Sequence, residues 1–202
     1  MAAGSSTGGN GLSIEAGTVG RGAAVGALAF VAGWVLAGLL APDGGNPRGI
    51  VNVSIPAWKG AGWYFYSAHV VDLVISTEAG GVSGTGTQNL IGNADDATVQ
   101  LLYLAPPLLL GTGGAVLART LGAAAEPEEG AKAGALVVAG YLPLACIGAL
   151  LTEHTETTSV LGAEISATWT VELVPAVLLA GLLYPLLFGA LGGVAASALE
   201  GR

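Results

Sequence analysis

Four long apolar stretches constrain the fold of this chain of 202 residues more than any other feature. They cover residues 22–41, 99–118, 131–151 and 173–196. Each is about 20 residues or longer, and Lys132 is the only charged residue among them. A helix of that length spans roughly 30 Å, the thickness of the hydrocarbon core of a bilayer. A soluble helix needs a polar face, which these stretches lack. The sequence therefore predicts a multi-pass membrane protein with four transmembrane helices.

The charge balance indicates the surroundings of the protein. The net charge is −8, and Lys59 and Lys132 are the only lysines. An acidic surface with few lysines suits high salt, where repulsion between surface charges is screened. The composition therefore favours a halophilic archaeal source, with an ordinary acidic membrane protein as the alternative. The sequence has no basic patch, which argues against nucleic acid as a partner.

The chain is expected to form one membrane domain over residues 22–202. Residues 1–21 are rich in Gly and Ser, which predicts a flexible cytoplasmic tail. A cleaved signal peptide is the alternative interpretation of the first 41 residues. Its apolar core would span only about 7–15 residues, and Leu39 disrupts a small-x-small site ending at Ala41. Cys146 is the single cysteine, so it is expected to behave as a small buried hydrophobe.

The distribution of Lys and Arg near the helix ends predicts the orientation in the membrane. The basic residues on one side of the predicted bundle are Arg21, Arg119, Lys132 and Arg202. The loops on the other side, 42–98 and 152–172, are longer but carry only Arg48 and Lys59. Both termini are therefore predicted to be cytoplasmic, and the two long loops are predicted to lie outside.

The first outer loop, residues 42–98, is too long to be a simple connector, so we expect it to carry structure. Residues 51–55 alternate apolar with polar side chains, which predicts a short strand. The β-branched run 69–77 predicts a second strand. Residues 80–93 are rich in Gly, Thr, Ser and Asn and are expected to form a mobile loop.

Between these two predicted strands lies the most aromatic stretch of the chain. Its rings belong to Trp58, Trp63, Tyr64, Phe65 and Tyr66. Trp and Tyr favour the membrane–water boundary, where the ring lies in the apolar zone and the N–H or O–H meets water. The stretch therefore predicts an interfacial segment whose rings anchor the chain on the outer leaflet. A ligand-binding aromatic surface is the alternative.

The interior of the predicted bundle offers little chemistry. No ionisable side chain falls near the centre of a predicted helix, which argues against ion-coupled transport. Prolines at 106, 107, 143 and 185 are expected to kink the helices, as in some transporters and in many other membrane proteins. Small residues at helical spacing favour close helix packing or oligomer contacts. The fold class predicted is an all-α membrane bundle of four helices, with a partly ordered outer loop that contains short strands.

One group of side chains suits metal or acid–base chemistry. Its members are His69, Asp72, Glu153, His154 and Glu156, which are all predicted near the outer ends of the helices. Two imidazoles with carboxylates suit Zn²⁺ or another divalent ion. The spacing matches no established motif, so the alternative is two structural histidines beside a solvated acidic loop. No cofactor is expected.

Asn52 is a candidate glycosylation site. Asn52-Val53-Ser54 is the single N-x-S/T sequon of the chain with a permitted middle residue, and it falls in the predicted outer loop.

The segment that follows the first apolar stretch carries a family resemblance. Its residues Gly62, Trp63, Phe65, Tyr66, Ala68 and His69 form a GW-x-FY-x-AH pattern. In this pattern and in its acidic, Lys-poor layout, the chain resembles small haloarchaeal four-helix membrane proteins of uncharacterised function. The resemblance implies a shared membrane architecture and brings no activity.

Three functions remain open from the sequence. The first is a non-enzymatic integral membrane protein that works by association in the bilayer, as an accessory subunit or a homo-oligomer. The second is a small transporter or channel built from the proline-containing helices 2 to 4. The third is a membrane enzyme with a metal at its outer face. A dense bundle favours the first, a water-filled path the second, and converged histidines and carboxylates the third.

Overall fold

The computed structural model describes residues 16–42, 55–160 and 163–200. Four helices in these ranges are long and apolar enough to cross a membrane, and they confirm the four helices predicted from the apolar stretches. We call them the first to fourth long helix: Ala16–Leu40, Ala97–Thr120, Pro127–Leu151 and Leu173–Glu200. Asn52 and most of the predicted strand 51–55 lie outside the described residues, as does most of the predicted tail.

Three of the long helices change their backbone geometry along their length. The first is a single helix, α1. The second comprises α3 (Ala97–Gln100), a 3-10 segment (Leu101–Leu104) and α4 (Ala105–Thr120). The third comprises α5 (Pro127–Ala135) and α6 (Val138–Leu151). The fourth comprises α7 (Leu173–Pro175), a π-helical segment (Ala176–Leu183) and α8 (Tyr184–Glu200). Pro106 and Pro107 lie in the first turn of α4, directly after the 3-10 segment.

Glycines allow the long helices to approach each other closely. Gly114 and Gly134 both lie against the backbone of Gly189, and a Cβ at either position would collide with the Gly189 carbonyl oxygen. Gly130 and Gly193 face each other in the same way. These glycines therefore serve packing within the bundle, where α8 lies against both α4 and α5.

Two β-hairpins from different loops join into one sheet. Its strands are β1 (Leu73–Ala79), β2 (Val82–Gln88), β3 (His154–Val160) and β4 (Ala163–Val171), in the antiparallel order β2-β1-β4-β3. Both hairpins grow from the same end of the bundle, which we call the sheet end. Gly80 and Gly81 connect β1 to β2 with φ of +58° and +82°. A two-residue hairpin turn in which both residues have positive φ strongly favours Gly-Gly.

The sheet corrects the sequence-based fold class in two places. The strand predicted at 69–77 is confirmed in its second half, because β1 covers Leu73–Ala79, whereas residues 69–72 end α2 and lead into the sheet. The range 80–93, expected to be a mobile loop, instead contains β2. The loop 152–172 forms β3 and β4, although no strand was predicted there. The fold is therefore mostly helical with a four-stranded sheet, because Thr-rich sequences adopt extended structure readily when a partner strand is available.

The two faces of this sheet differ in chemistry. Leu73, Trp169 and Val171 share one face and are buried at the base of the sheet. The other face carries hydroxyl side chains, because successive residues of a strand point to opposite sides. They belong to Ser76, Ser83, Thr85, Thr87, Thr155, Thr157, Ser159, Ser166, Thr168 and Thr170. We call this surface the hydroxyl face.

Candidate functional site

A short helix, α2 (Ala57–Ala68), runs along α6 from the sheet end into the bundle. The Trp63 indole N–H donates to the Thr152 carbonyl at 3.1 Å, just beyond the end of α6. One turn further on, the Tyr66 hydroxyl donates to the Ala145 carbonyl at 2.5 Å. As the residue number rises along α2, the residue number of the partner on the α6 side falls. The two helices are therefore antiparallel, and the C-terminal end of α2 lies deepest in the bundle.

At that deep end the ring of His69 is fully buried and makes two hydrogen bonds. Nδ1 lies 2.8 Å from the Phe65 carbonyl oxygen, and Nε2 lies 2.8 Å from the Tyr141 hydroxyl. A carbonyl oxygen only accepts, so Nδ1 carries the ring proton. Nε2 is therefore the acceptor, and the Tyr141 hydroxyl donates to it. Burial lowers the pKa of His69 to about 4, which keeps the ring neutral at physiological pH.

The aromatic residues expected to anchor the chain at the lipid interface lie mostly inside the protein. Trp63, Tyr64, Phe65 and Tyr66 are all buried, whereas the Trp58 side chain is about half exposed. Nine of the 12 residues of α2 are buried. A helix lying on a membrane surface would expose one face, so this burial identifies α2 as an internal element. Burial also raises the pKa of the Tyr66 hydroxyl.

The rings of α2 join an aromatic cluster with the first and third long helices. Phe30 on α1 packs edge-on against Phe65 and Tyr141, with ring centroids 4.8 and 5.5 Å apart. Trp34 packs edge-on against Tyr66 at 6.1 Å. Gly62 and Gly148 make room for the Trp34 ring. The cluster holds α2 in place on two sides, since edge-to-face pairs add to the burial of aromatic surface.

The chain leaves the deep end of α2 through a strained residue. Val70 has φ of +59°, and among the described residues it alone has positive φ without being Gly. Its N–H bonds to the Ser67 carbonyl, and the Val71 N–H bonds to the Tyr66 carbonyl. This is the Schellman pattern of a helix end, in which Gly usually occupies the left-handed position. A β-branched residue there is strained.

A polar network ties α2 to the segment that follows β2. The Asn89 amide donates to the Ser67 carbonyl at 3.2 Å and lies 3.4 Å from Asp72 Oδ1. The Tyr103 hydroxyl donates to Asn89 Oδ1 at 2.8 Å. The Leu90 N–H donates to the Ser67 hydroxyl, which is fully buried. Asn89 therefore joins α2, the connection to β1 and the second long helix.

The side chains of the predicted metal site do not converge. Across the described parts of the chain, no three His, Cys, Asp or Glu side chains meet in an arrangement that could hold a metal ion. Both His69 nitrogens are occupied within the bundle, and Asp72 bonds to Asn89. His154 lies at the base of the sheet beside Trp169, with Nε2 3.5 Å from Glu156 Oε2. Glu153 has an exposed side chain, and its carbonyl accepts from Lys59.

Sequence reasoning missed the partners that give His69 its setting. Tyr141 and Tyr184 come from the third and fourth long helices, and the Tyr184 ring lies 4.9 Å from His69. The one signal in the sequence was the absence of a polar face on α2. α2 has few polar residues and none arranged as a face, and a helix that is apolar on all sides is expected to be buried.

The structure therefore holds a neutral, doubly hydrogen-bonded imidazole inside the bundle and presents hydroxyl side chains on the sheet outside it. These features define a protein with four long apolar helices, an internal aromatic helix and a sheet at one end. The family of unknown function DUF7978 matches residues 1–200, and the chain belongs to that family. No curated protein and no solved structure matches it.

Proposed function

We propose that the protein is an integral membrane protein whose four long helices span the bilayer. Large apolar side chains cover the outside of the helices, where only lipid would favour them. On α1 alone, Leu28, Val31, Val35 and Leu39 are all more than half exposed. The alternative of a soluble bundle would leave these side chains in water.

The sheet end faces outside in this proposal, and both termini are cytoplasmic. The support is the Lys and Arg asymmetry, with Arg119 and Lys132 both near the opposite end of the bundle. Arg119 lies 3.8 Å from Glu200 there, and Lys132 pairs with Glu128 and Glu129. A haloarchaeal source stays a prediction from composition and resemblance.

We further propose that the protein is non-enzymatic and works by association, and that the sheet is its contact surface. The observation that carries this proposal is the exposure of the sheet. β1 is buried only at its base, and β2 is exposed along nearly its whole length. Strands that extend beyond the bundle add little to its core, which favours a role in binding. Both outer strands also present backbone groups that a further strand can pair with.

The close packing of the long helices argues against the transporter alternative. Gly114, Gly130, Gly134, Gly189 and Gly193 bring three helices into backbone contact along α8. A substrate path between these helices requires their separation. The scattered positions of His69, Asp72 and His154 likewise offer no support for the metal-enzyme alternative.

Site-specific photo-crosslinking in native membranes tests the contact surface. A photoreactive residue replaces Thr85, on the exposed hydroxyl face of β2. A matched position at Leu28 points away from the bundle on α1. We expect protein adducts from Thr85 and only lipid adducts from Leu28, because the proposal places partner contacts on the sheet.

The adduct mass separates an accessory role from a homo-oligomer. An adduct of twice the chain mass indicates a second copy, and any other mass indicates a different protein; both support association through the sheet. Protein adducts from Leu28 without any from Thr85 would overturn the proposal and place the contact on the helices.

A further inference from the structure

α2 places an imidazole inside the bundle, although the four apolar stretches carry no histidine, carboxylate or cationic side chain near their centres. Tyr141 and Tyr184 each lie about ten residues from the sheet end of their helices, which corresponds to roughly 15 Å. A tyrosine side chain spans only part of that distance. The His69 ring that contacts both therefore lies below the helix ends. In a spanning bundle, α2 enters the hydrocarbon layer from the sheet side and the chain returns to the same side.

We propose that His69 is a proton-binding site that controls the docking of α2. The neutral ring holds the deep end of the helix in the bundle, and protonation from the sheet side releases it. An ionisable group at such a depth is expensive and is a functional candidate for that reason.

The surroundings of the ring favour its neutral form. The groups that face it are the Phe65 carbonyl on α2, the Tyr141 hydroxyl on α6 and the Tyr184 ring on α8. None of them is a carboxylate, and His69 has no ion-pair partner in the described part of the chain. Asp72, three residues further on, is exposed and bonds to Asn89.

Protonation would disturb both the charge and the hydrogen bonds of this site. Nε2 would become a donor facing a hydroxyl group that now donates to it. Tyr141 would have to turn its own proton away, within a fully buried environment. A buried charge without an opposite charge is strongly destabilising. The charged ring is therefore better solvated outside the bundle, and it takes the end of α2 with it.

Docked His69 binds a proton more weakly than His69 in water does, so a fall in pH favours the undocked state. Burial lowers the pKa of docked His69 to about 4, against about 6.5 for a histidine in water. Docking is then most stable above about pH 6.5 and weakens up to tenfold per pH unit as the pH falls toward 4. Below that the effect levels off, since both states bind the proton.

The joint at Val70 gives the helix end somewhere to move. The hydrogen bonds at the end of α2 keep Val70 in the left-handed conformation while His69 is docked. When His69 leaves the bundle, the Val70 backbone can return to an unstrained conformation. β1 begins at Leu73, three residues further on. A shift of α2 therefore reaches the sheet, and this last step alone rests on the proposed role of the sheet in association.

Hydrogen–deuterium exchange of the full chain in lipid nanodiscs tests the proposal. Amides of α2 are compared with those of α6 at pH 7.5 and pH 4.5, after correction for intrinsic exchange rates. We expect α2 to exchange at least about tenfold faster at pH 4.5, with α6 nearly unchanged. His69→Gln keeps a donor and an acceptor without a titration and should abolish the step.

His154→Gln is the matched control, because His154 is the only other histidine of the chain. This variant should keep the step, and it leaves one imidazole for nuclear magnetic resonance even if His69→Gln does not fold. Its ring should be an Nδ1–H tautomer at pH 7.5, and its titration should coincide with the loss of α2 protection.

Two results would overturn the proposal: a pH step that persists in His69→Gln, or a ring that titrates near pH 6.5 while α2 stays protected. Neither measurement involves a partner protein. A failure of the His69 proposal can therefore be distinguished from a failure of the proposed association through the sheet.

Discussion

His69 shows how a single side chain links distant parts of this molecule. Its ring receives a hydrogen bond from a residue 72 positions further along the chain and contacts another on the fourth long helix. Neither contact could be predicted, since nothing in the spacing of His69, Tyr141 and Tyr184 indicates that they meet. Only the contact of Nδ1 with the Phe65 carbonyl is local in sequence, because Phe65 lies four residues earlier at the end of the same helix.

Replacing Val70 by Gly is expected to stabilise the protein by about 1 kcal/mol. The left-handed backbone costs a β-branched residue roughly 1–2 kcal/mol, part of which is offset by the greater freedom of Gly in the unfolded chain. The Val70 side chain is more than half exposed, so little packing is lost. The free energy of unfolding, measured in mild detergent, checks this.

Val82→Gly is the control for this substitution. Val82 is even more exposed but lies in the extended strand β2, so the same change should destabilise by roughly 0.5–1 kcal/mol. If both variants lose stability equally, the left-handed conformation of Val70 carries no strain.

The long helices are where sequence and structure agree best. Their length and lack of charge specify them almost completely, because hydropathy over about 20 residues is a strong signal. The burial of α2 within the protein was not predicted, since Trp and Tyr occur both at interfaces and in buried clusters. Gly62 lets the Trp34 ring of α1 pack against α2, and nothing in the spacing of these residues indicates that they meet.

The helix contacts predict a large difference between two Gly→Ala substitutions. At Gly134 a Cβ would collide with the Gly189 carbonyl oxygen, so Gly134→Ala should destabilise by about 1–3 kcal/mol. At Gly20 of α1 nothing lies within 4 Å of the added carbon. Gly20→Ala should therefore be neutral or stabilise by up to about 1 kcal/mol.

Thermal unfolding of both variants in the same detergent compares them directly. An equal effect of the two substitutions would mean that the approach of α5 to α8 is looser than the structure has it.

The arrangement of helices and sheet also makes the orientation testable. In a Cys146→Ala background, single cysteines are placed at Gly84 and Ser159 in the sheet and at Glu128 near the opposite end. An impermeant maleimide added to intact cells should label the first two, since both strands are exposed at the sheet end. It should not reach the third.

Labelling of the cysteine at position 128 in intact cells would contradict the proposed topology. Equal labelling of all three after the cells are broken is the control that each cysteine is reactive in the folded protein.

The strands were harder to predict than the helices, for a physical reason. The hydroxyl residues of β3 and β4 alternate with apolar ones only from Ile165 onward, and an exposed strand lacks the strong apolar alternation of a half-buried one. Their pairing with β1 depends on two loops meeting at the sheet end. Of the five candidate metal ligands, the structure places only His154 and Glu156 side by side.

The pairing of β1 with β4 has a consequence for how the protein is made. These central strands are separated in the chain by the second and third long helices, so β1 lacks one neighbour until β4 has been synthesised. At about 5–20 residues per second, that delay is of the order of 5–20 s. In the proposed topology, the completed sheet therefore reports that the first three long helices have been inserted. A nascent chain stalled before β4 exposes an unpaired strand edge, the kind of surface that quality-control factors recognise.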